Sequence, residues 1–288
     1  MAIAGHFSDL YGTCRNAFRE GYPIRVLFIG DIVGNVGRRA VKECLPLLKS
    51  KYQPHIIVAN AENAAGGRGI TQQIARELFE QGIHGITMGN HTWDNKEIFT
   101  FIDDEERIVR PANFPPGTPG KGWTVVKGTG KEELVIINLQ GRTFLPAIDC
   151  PFRTMDDLLT GLGDKHKHIM VDFHAEATSE KISLGWHLDG RVSLVVGTHT
   201  HVQTNDERIL PNRTGYMSDV GMVGPRDGVL GMEKSGVLHK FTTQLPSRFV
   251  VDEGKWHFHA IVADLNNETG RTEKIEKIRW EEGQFVML

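Results

Sequence analysis

Carboxylate, carboxamide and imidazole side chains recur just after five short apolar runs of this chain. Val26–Ile29 leads into Gly30-Asp31-Ile32-Val33-Gly34. Ile56–Ala59 leads into Asn60-Ala61-Glu62-Asn63, with Gly66-Gly67 close behind. Gly85–Met88 leads into Gly89-Asn90-His91 and Asp94, Ile169–Phe173 into His174-Ala175-Glu176, and Leu194–Val196 into Gly197-Thr198-His199-Thr200-His201. Singly, each has an ordinary explanation. Asp31 suits a turn or cap, Asn60 and Asn63 suit turns, His174 suits a satisfied core site, and His199-x-His201 suits two exposed strand positions. Turns call for Gly, Asn and Asp, but not for three histidines and a glutamate at the same kind of position. The joint recurrence therefore points to one shared site.

The donor set is informative. Asp31 and Glu62 offer anionic oxygens, Asn63 and Asn90 neutral carbonyl oxygens, and His174, His199 and His201 imidazoles. That mixture suits first-row metals, Fe or Mn and also Zn. It is too many ligands for one ion with an open position and about enough for two ions sharing a carboxylate. On a regular strand, residues i and i+2 point to one face. His199 and His201 then bind one ion together, or one each of a neighbouring pair. The remaining histidines have plainer readings. His166 and His168 sit among lysines on a solvated face, and His55 and His84 are strand-capping or surface groups. His187, His239, His257 and His259 have no glycine-framed loop. Gly30, Gly34 and Gly37 do not have dinucleotide-loop spacing.

Something must carry these loops to one place. The runs Val26–Ile29, Ile56–Ala59, Ile83–Met88, Leu134–Ile137, Ile169–Phe173 and Leu194–Val196 are short and near-continuous, as buried strands are. Helical spacing lies between several of them. Val36 to Lys49 has an apolar stripe, and Thr71 caps a helix through Ile74, Leu78 and Phe79 that Gly82 closes. Asn95 caps a helix through Ile98, Phe99 and Ile102, and Thr178 or Ser179 one through Ile182, Leu184 and Trp186. Such alternation implies parallel βαβ units, whose strand ends carry ligand sites. Trp123–Lys127 with Leu134–Leu139, and Trp256–Leu265 with Thr272–Trp280, read as antiparallel pairs, so the fold class is α/β with mixed sheets. Residues 205–236 form a long Gly-, Pro-, Asn- and Asp-rich connection. Residues 1–23 read as an appended N-terminal segment, and 24–288 as a single domain with no dividing linker.

Composition narrows the class. The chain has 288 residues, 40% of them hydrophobic, enough to bury a large core. A net charge of -3 argues against general nucleic-acid binding. No apolar run approaches a membrane span, so no membrane partner is expected. Cys14, Cys44 and Cys150 have no metal-ligand spacing and suit reduced thiols in a cytoplasmic protein.

Taken together, the motifs resemble a known family. Gly89-Asn90-His91 and Gly197-Thr198-His199-Thr200-His201 resemble two metallophosphoesterase signatures. Gly30-Asp31-Ile32-Val33-Gly34 and Ala59-Asn60-Ala61-Glu62-Asn63 narrow the resemblance to the YmdB-like branch, a family of 2′,3′-cyclic-nucleotide 2′-phosphodiesterases. The similarity runs from about Arg25 to about Trp280. Two departures from the wider superfamily belong to this branch: Asp31 is not followed by x-His, and Glu62 stands where an aspartate usually bridges. The resemblance implies a four-layer α/β/β/α sandwich. It places Asp31, Glu62, Asn63 and His201 on one metal ion, and Asn90, His174 and His199 on a second that Glu62 bridges. The implied reaction is attack of a two-metal-activated hydroxide on a small phosphodiester such as a cyclic nucleotide, 2′,3′- or 3′,5′-linked, with His91 as general acid. Two alternatives stay open: a non-catalytic metal or nucleotide sensor, and a dinuclear hydrolase of a non-phosphate bond such as an amide. A homo-oligomer is also left open.

Overall fold

A computed structural model describes residues 23–283 as an α/β protein with two mixed sheets. The strands are β1 (Ile24–Ile29), β2 (Asp31–Ile32), β3 (Ile56–Asn60), β4 (Gly85–Thr87), β5 (Ile108–Val109), β6 (Trp123–Lys127), β7 (Glu133–Gln140), β8 (Ile169–His174), β9 (Leu194–Thr198), β10 (Arg208–Ile209), β11 (Gly215–Met217), β12 (Met222–Pro225), β13 (Trp256–Leu265) and β14 (Thr272–Glu281). The α-helices are α1 (Gly34–Tyr52), α2 (Gln72–Glu80), α3 (Pro151–Leu162), α4 (Thr178–Leu188) and α5 (Lys234–Thr243). Cys14, and all of the expected N-terminal segment except Pro23, lie outside the described residues.

The first sheet runs β2-β12-β13-β1-β3-β4-β5, with β14 also paired to β13. Its β1, β3, β4 and β5 are mutually parallel, while β13 is antiparallel to β1. The second sheet runs β10-β11-β9-β8-β7-β6, parallel from β11 to β7 and closed by the antiparallel β6. Both expected antiparallel pairs are present, β6 with β7 and β13 with β14.

Strand parity explains why the central runs are apolar at every position. Leu27 and Ile29 of β1 pack with Val41, Leu45 and Leu48 of α1 and Leu78 of α2. Their neighbours Val26 and Phe28 face the other way, joining Val58, Ile136, Met170 and Val196 between the sheets. Val135, Ile137, Val171 and Phe173 point outward again, onto Met155 of α3 and Leu184 and Leu188 of α4. A strand covered on both faces gains from apolar side chains at odd and even positions alike. Each fully buried aliphatic or phenyl group contributes about 1.5–3 kcal/mol by leaving water.

The helix ends show where local chemistry decides and where it does not. Thr71 Oγ1 accepts from Ile74 N–H at 3.2 Å and starts α2 as expected. Gly82, at φ +93°, donates to Phe79 O and closes the turn. Asn95 also caps, accepting from Glu97 N–H at 3.1 Å, but the element it starts is a short 3₁₀ helix, Lys96–Thr100. Neither Thr178 nor Ser179 caps α4; its N-cap is Ala177, with no side-chain bond. No helix of the described residues is long and apolar enough to cross a membrane.

The consequence for function is directional. The parallel strands β1, β3 and β4 end at Ile29, Asn60 and Thr87, and β8 and β9 end at His174 and Thr198. These strand ends, the short β2 that follows β1 and the loops that leave the others carry all seven expected ligands and His91.

Candidate metal centre

Two sheets deliver donors to one spot. His174 Nε2 lies 3.0 Å from Glu62 Oε1, 2.9 Å from Asn90 Oδ1 and 3.0 Å from His199 Nδ1. His201 Nε2 lies 3.1 Å from Asn63 Nδ2 and 3.9 Å from Asp31 Oδ1. Asn63 Nδ2 also donates to Glu62 Oε1 at 3.3 Å, which joins the two sets. Asp31 Oδ2 accepts from the His199 N–H at 3.2 Å. All seven sequence-expected ligands therefore belong to one contact network. Within it, Glu62, His174 and His199 present ligand atoms all within 4.8 Å of one another.

The imidazoles of His199 and His201 do not share a strand face. Regular strand geometry stops at Thr198, and both histidines have positive φ, +102° and +65°. His199 turns toward His174, with its Nε2 3.0 Å from Glu176 Oε2. His201 turns toward Asn63, with Nδ1 3.0 Å from Leu230 O. The two rings thus meet different neighbours. Non-glycine residues at positive φ are strained and need to be held. Thr200 between them is the clamp: its N–H and hydroxyl both donate to Asp219 Oδ2, at 3.1 and 2.7 Å. Lys181 Nζ backs the same oxygen at 2.6 Å from within α4.

Close approach explains two of the framing glycines. A Cβ on Gly89 would sit 2.4 Å from His174 Cδ2 and 2.6 Å from Glu62 Oε2, and one on Gly197 would sit 1.8 Å from Ser218 O. Any side chain at these positions displaces the donors or the strand behind them.

The electrostatics are compatible with a bound cation. Asp31 is fully buried, and its Oδ1 has no hydrogen-bond partner among the described residues. Burial pushes its carboxyl well above the usual range; His174 opposes this, and the Glu62 charge adds to it. Burial also works against the Glu62 carboxylate, but the charge and hydrogen bond of His174 outweigh it and hold Glu62 at about 2. For His174 itself, burial pulls downward and Glu62, Asp31 and Asp172 overcome it, lifting the imidazole to about 9. Burial and the neighbouring His174 charge push His199 down to about 3, and burial lowers His201. An orphaned carboxylate oxygen beside the imidazoles of His199 and His201, which burial keeps neutral, and beside carboxamide oxygens fits a transition-metal cation, which would take the place of the proton on His174.

Comparison with known proteins adds a family. The model of the YmdB-like protein family matches residues 27–278. The chain belongs to this family. It is 57% identical to the 2′,3′-cyclic-nucleotide 2′-phosphodiesterase of Bacillus subtilis (strain 168) over 255 residues, covering 88% of this chain and 96% of the relative. The fold is similar to that of a crystal structure of a hypothetical protein from Thermus thermophilus, with a TM-score of 0.84, 43% identity and coverage of 89% and 99% of the two chains. A crystal structure of a novel phosphatase from Mycoplasma pneumoniae matches with a TM-score of 0.85, 33% identity and coverage of 91% and 94%.

His91 stands apart from the seven candidate ligands of this YmdB-like protein. Its backbone N–H donates to Glu62 Oε2 at 2.9 Å, while its ring turns away and holds Asp94 Oδ2 through Nδ1 at 2.9 Å. Nε2 has no partner among the described residues, and the side chain is 27% exposed.

Several residues of the site have no role in the sequence reading, although Asp94, Glu176 and Thr198 stand in its motifs. Glu176, Asp94, Asp172, Thr198, Lys181 and Asp219 all touch or brace the donors. For Glu176 and Asp94 the signal was proximity to a motif. For Lys181 and Asp219 nothing in the local sequence pairs them. Among the plainer histidines, His55 and His84 do accept strand N–H groups, from Arg25 and Ile57. His168 is a correction: it is buried rather than solvated, because β8 is covered there and its Nε2 reaches Asn266 O at 3.1 Å.

Proposed function

We propose that this YmdB-like protein is a metal-dependent phosphodiesterase that hydrolyses small cyclic nucleotides, 2′,3′-linked ones first among them. The observation that carries this reading is the pairing of the orphaned, fully buried Asp31 Oδ1 with six further donors at the strand ends of two sheets. The named activity of the Bacillus subtilis relative supports the choice of substrate. The three apolar layers, helix on sheet, sheet on sheet and sheet on helix, support a four-layer α/β/β/α order.

In this reading Asp31, Asn63 and His201 would hold one ion, Asn90, His174 and His199 would hold a second, and Glu62 would be within reach of both sets. Iron or manganese suits the set best, and zinc fits as well. Ions bound there would supply Lewis acidity and lower the pKa of a water. The chain's own residues do the rest. Buried Asp31 and Glu62 help align the others, Asp31 through the His199 N–H and Glu62 through the His174 ring and the His91 N–H. His91, its Nδ1 held by Asp94, presents Nε2 to the substrate side and gives a proton to the departing alkoxide. One P–O bond is broken, a hydroxyl is added to phosphorus, and the proton completes the alcohol. No cluster of arginines dedicated to a dianionic phosphate is present in the sequence, which suits a diester better than a monoester.

The test is turnover. Protein loaded with Mn²⁺ or Fe²⁺ is assayed on a 2′,3′-cyclic nucleotide, bis(p-nitrophenyl) phosphate, a nucleoside monophosphate and an amide. Hydrolysis of the two diesters, abolished by a chelator and restored by metal, is expected. Preference for the monoester or the amide overturns the substrate assignment. Metal uptake with no turnover of any of them favours the sensor.

A further inference from the structure

Behind the donors, in the otherwise apolar layer between the sheets, lies a carboxylate that the mechanism does not use. Asp172 is fully buried. It lies two residues before His174 in β8, so both share the face that Met170 presents to the other sheet. Every group around it is a donor. Asp172 Oδ1 accepts from the Thr198 hydroxyl at 2.7 Å, and Oδ2 accepts from the Thr87 hydroxyl at 2.5 Å and from Asn60 Nδ2 at 3.2 Å. These partners come from β9, β4 and β3, so one side chain ties four strands of two sheets together.

The bonds continue outward to the metal donors. The Thr198 hydroxyl gives its only proton to Asp172, so its oxygen must accept from His174 Nδ1 at 2.9 Å. Nδ1 of His174 thereby carries a proton in the cation and in the neutral ring alike, so Nε2 is the nitrogen that a metal can take. That Nε2 is left pointing at Glu62, Asn90 and His199. The second arm runs through Asn60. Its Oδ1 accepts from the Glu62 N–H at 3.1 Å, and its Nδ2 also donates to Met88 O at 3.1 Å, just before the Gly89-Asn90 turn.

We propose that Asp172 is a positioning residue of the metal centre: through Thr198 it fixes the tautomer and aim of His174, and through Asn60 it sets Glu62 and the Asn90 turn. A strut between sheets needs no charge; Val58, Ile136 and Val196 fill the same layer without one. A buried carboxylate is costly to keep, and an apolar residue of similar volume would serve packing at least as well. What an apolar residue cannot do is make Thr198 an acceptor toward His174. Outer partners of this kind typically change metal affinity or activity by about 10–100-fold.

The inference rests on the reading of the site as a metal centre, and its test separates the two. Asp172→Asn, Thr198→Val and Thr198→Ser are compared with the parent protein. Affinity for Zn²⁺ and Mn²⁺ is measured by chelator competition, and the His174 Nδ1–H by NMR in metal-stripped protein. Thr198→Ser keeps the hydroxyl, so parental affinity and a downfield, slowly exchanging Nδ1–H are expected. Thr198→Val should lose that resonance and bind each metal about 10–100-fold more weakly, and Asp172→Asn should follow it. A purely structural Thr198 would leave the Val and Ser variants alike in both readouts, which overturns the proposal. Equal metal affinity in Asp172→Asn, Thr198→Val and the parent also overturns it. Should Asp172→Asn not fold, the Val and Ser pair decides alone. A parent that shows the Nδ1–H signature and its loss in Thr198→Val, yet binds no metal, supports the relay and refutes the metal centre instead.

Discussion

Replacing His91 by alanine separates catalysis from metal binding, because the structure divides this residue into two parts. The backbone N–H that holds Glu62 Oε2 at 2.9 Å survives the substitution. What is removed is the ring, whose contact is with Asp94 rather than with any of the seven candidate ligands. Metal content should therefore stay at the parental level. Loss of a positioned general acid typically costs about 10²–10⁴-fold, or roughly 2.7–5.4 kcal/mol of barrier at about 1.36 kcal/mol per tenfold. That penalty applies to a ribose alkoxide, which leaves poorly without a proton. It largely disappears for p-nitrophenolate, which leaves unassisted. The assay is the ratio of turnover on a 2′,3′-cyclic nucleotide to turnover on bis(p-nitrophenyl) phosphate, with metal stoichiometry measured on the same sample. His91→Ala should lower that ratio by about two orders of magnitude or more. Asp94→Ala removes the orienting bond, together with an exposed 3.8 Å ion pair to Arg68 that contributes little. Such a bond to a charged group is worth about 1.5–3 kcal/mol, and with the His91 and Asp94 side chains 27% and 36% exposed the lower end applies, about tenfold on the cyclic substrate. Loss of a metal ion in His91→Ala would make His91 a ligand. An equal loss on both substrates with metals intact would refute the proton-donor role.

Three further outcomes follow from the same geometry. Elemental analysis should find close to two transition-metal equivalents per chain, and Glu62→Ala and His199→Ala should lose metal and turnover together, with the shared Glu62 the more damaging. Gly89→Ala, whose Cβ would meet His174 at 2.4 Å, should lower metal content while leaving the far-UV circular dichroism unchanged. Phe28→Ala, at a fully buried position between the sheets, should cost about 3–5 kcal/mol in urea unfolding without changing metal stoichiometry.

How much of the fold was legible follows from how its elements are covered. The central strands announced themselves because they are buried on both faces, and burial on both faces leaves an unbroken apolar run. The short strands β2, β5 and β10 left no such mark: two residues cannot show a period. The α3 helix was missed although Phe152, Met155, Leu158, Leu159 and Leu162 sit at helical spacing after Pro151, a residue suited to a helix start. The α5 helix carried no usable signal. Only Val237 is buried, while Leu238 and Phe241 are 56% and 72% exposed, so no apolar stripe faces a core. Asn95 gave the right cap but the wrong helix type, because a cap marks a start and says nothing of how many turns follow.

The site divides in a different way. Residue type was enough to single out the seven residues that the fold gathers into one contact network, because imidazoles, carboxylates and carboxamides seldom recur together at strand ends. Residue type was not enough for the groups that aim them, since those are Thr, Asn, Asp and Lys, which turns and surfaces also use. Yet one of them left a mark that pattern alone exposes. Asp172 interrupts Ile169-Met-Val-Asp-Phe173, a run otherwise apolar on both faces. A charge placed there has no route to solvent, so it has to be satisfied from a neighbouring strand or the opposite sheet. Sequence order hides which: Thr87 lies 85 residues away, Asn60 lies 112 and Thr198 lies 26. The strand order β9-β8-β7 in one sheet and β3-β4 in the other brings these four positions onto facing surfaces. The anomaly could thus be read from the chain, while its partners required the topology; and because two of those partners lead on to His174 and Glu62, the same charge that disturbs the pattern is the one that orders the site.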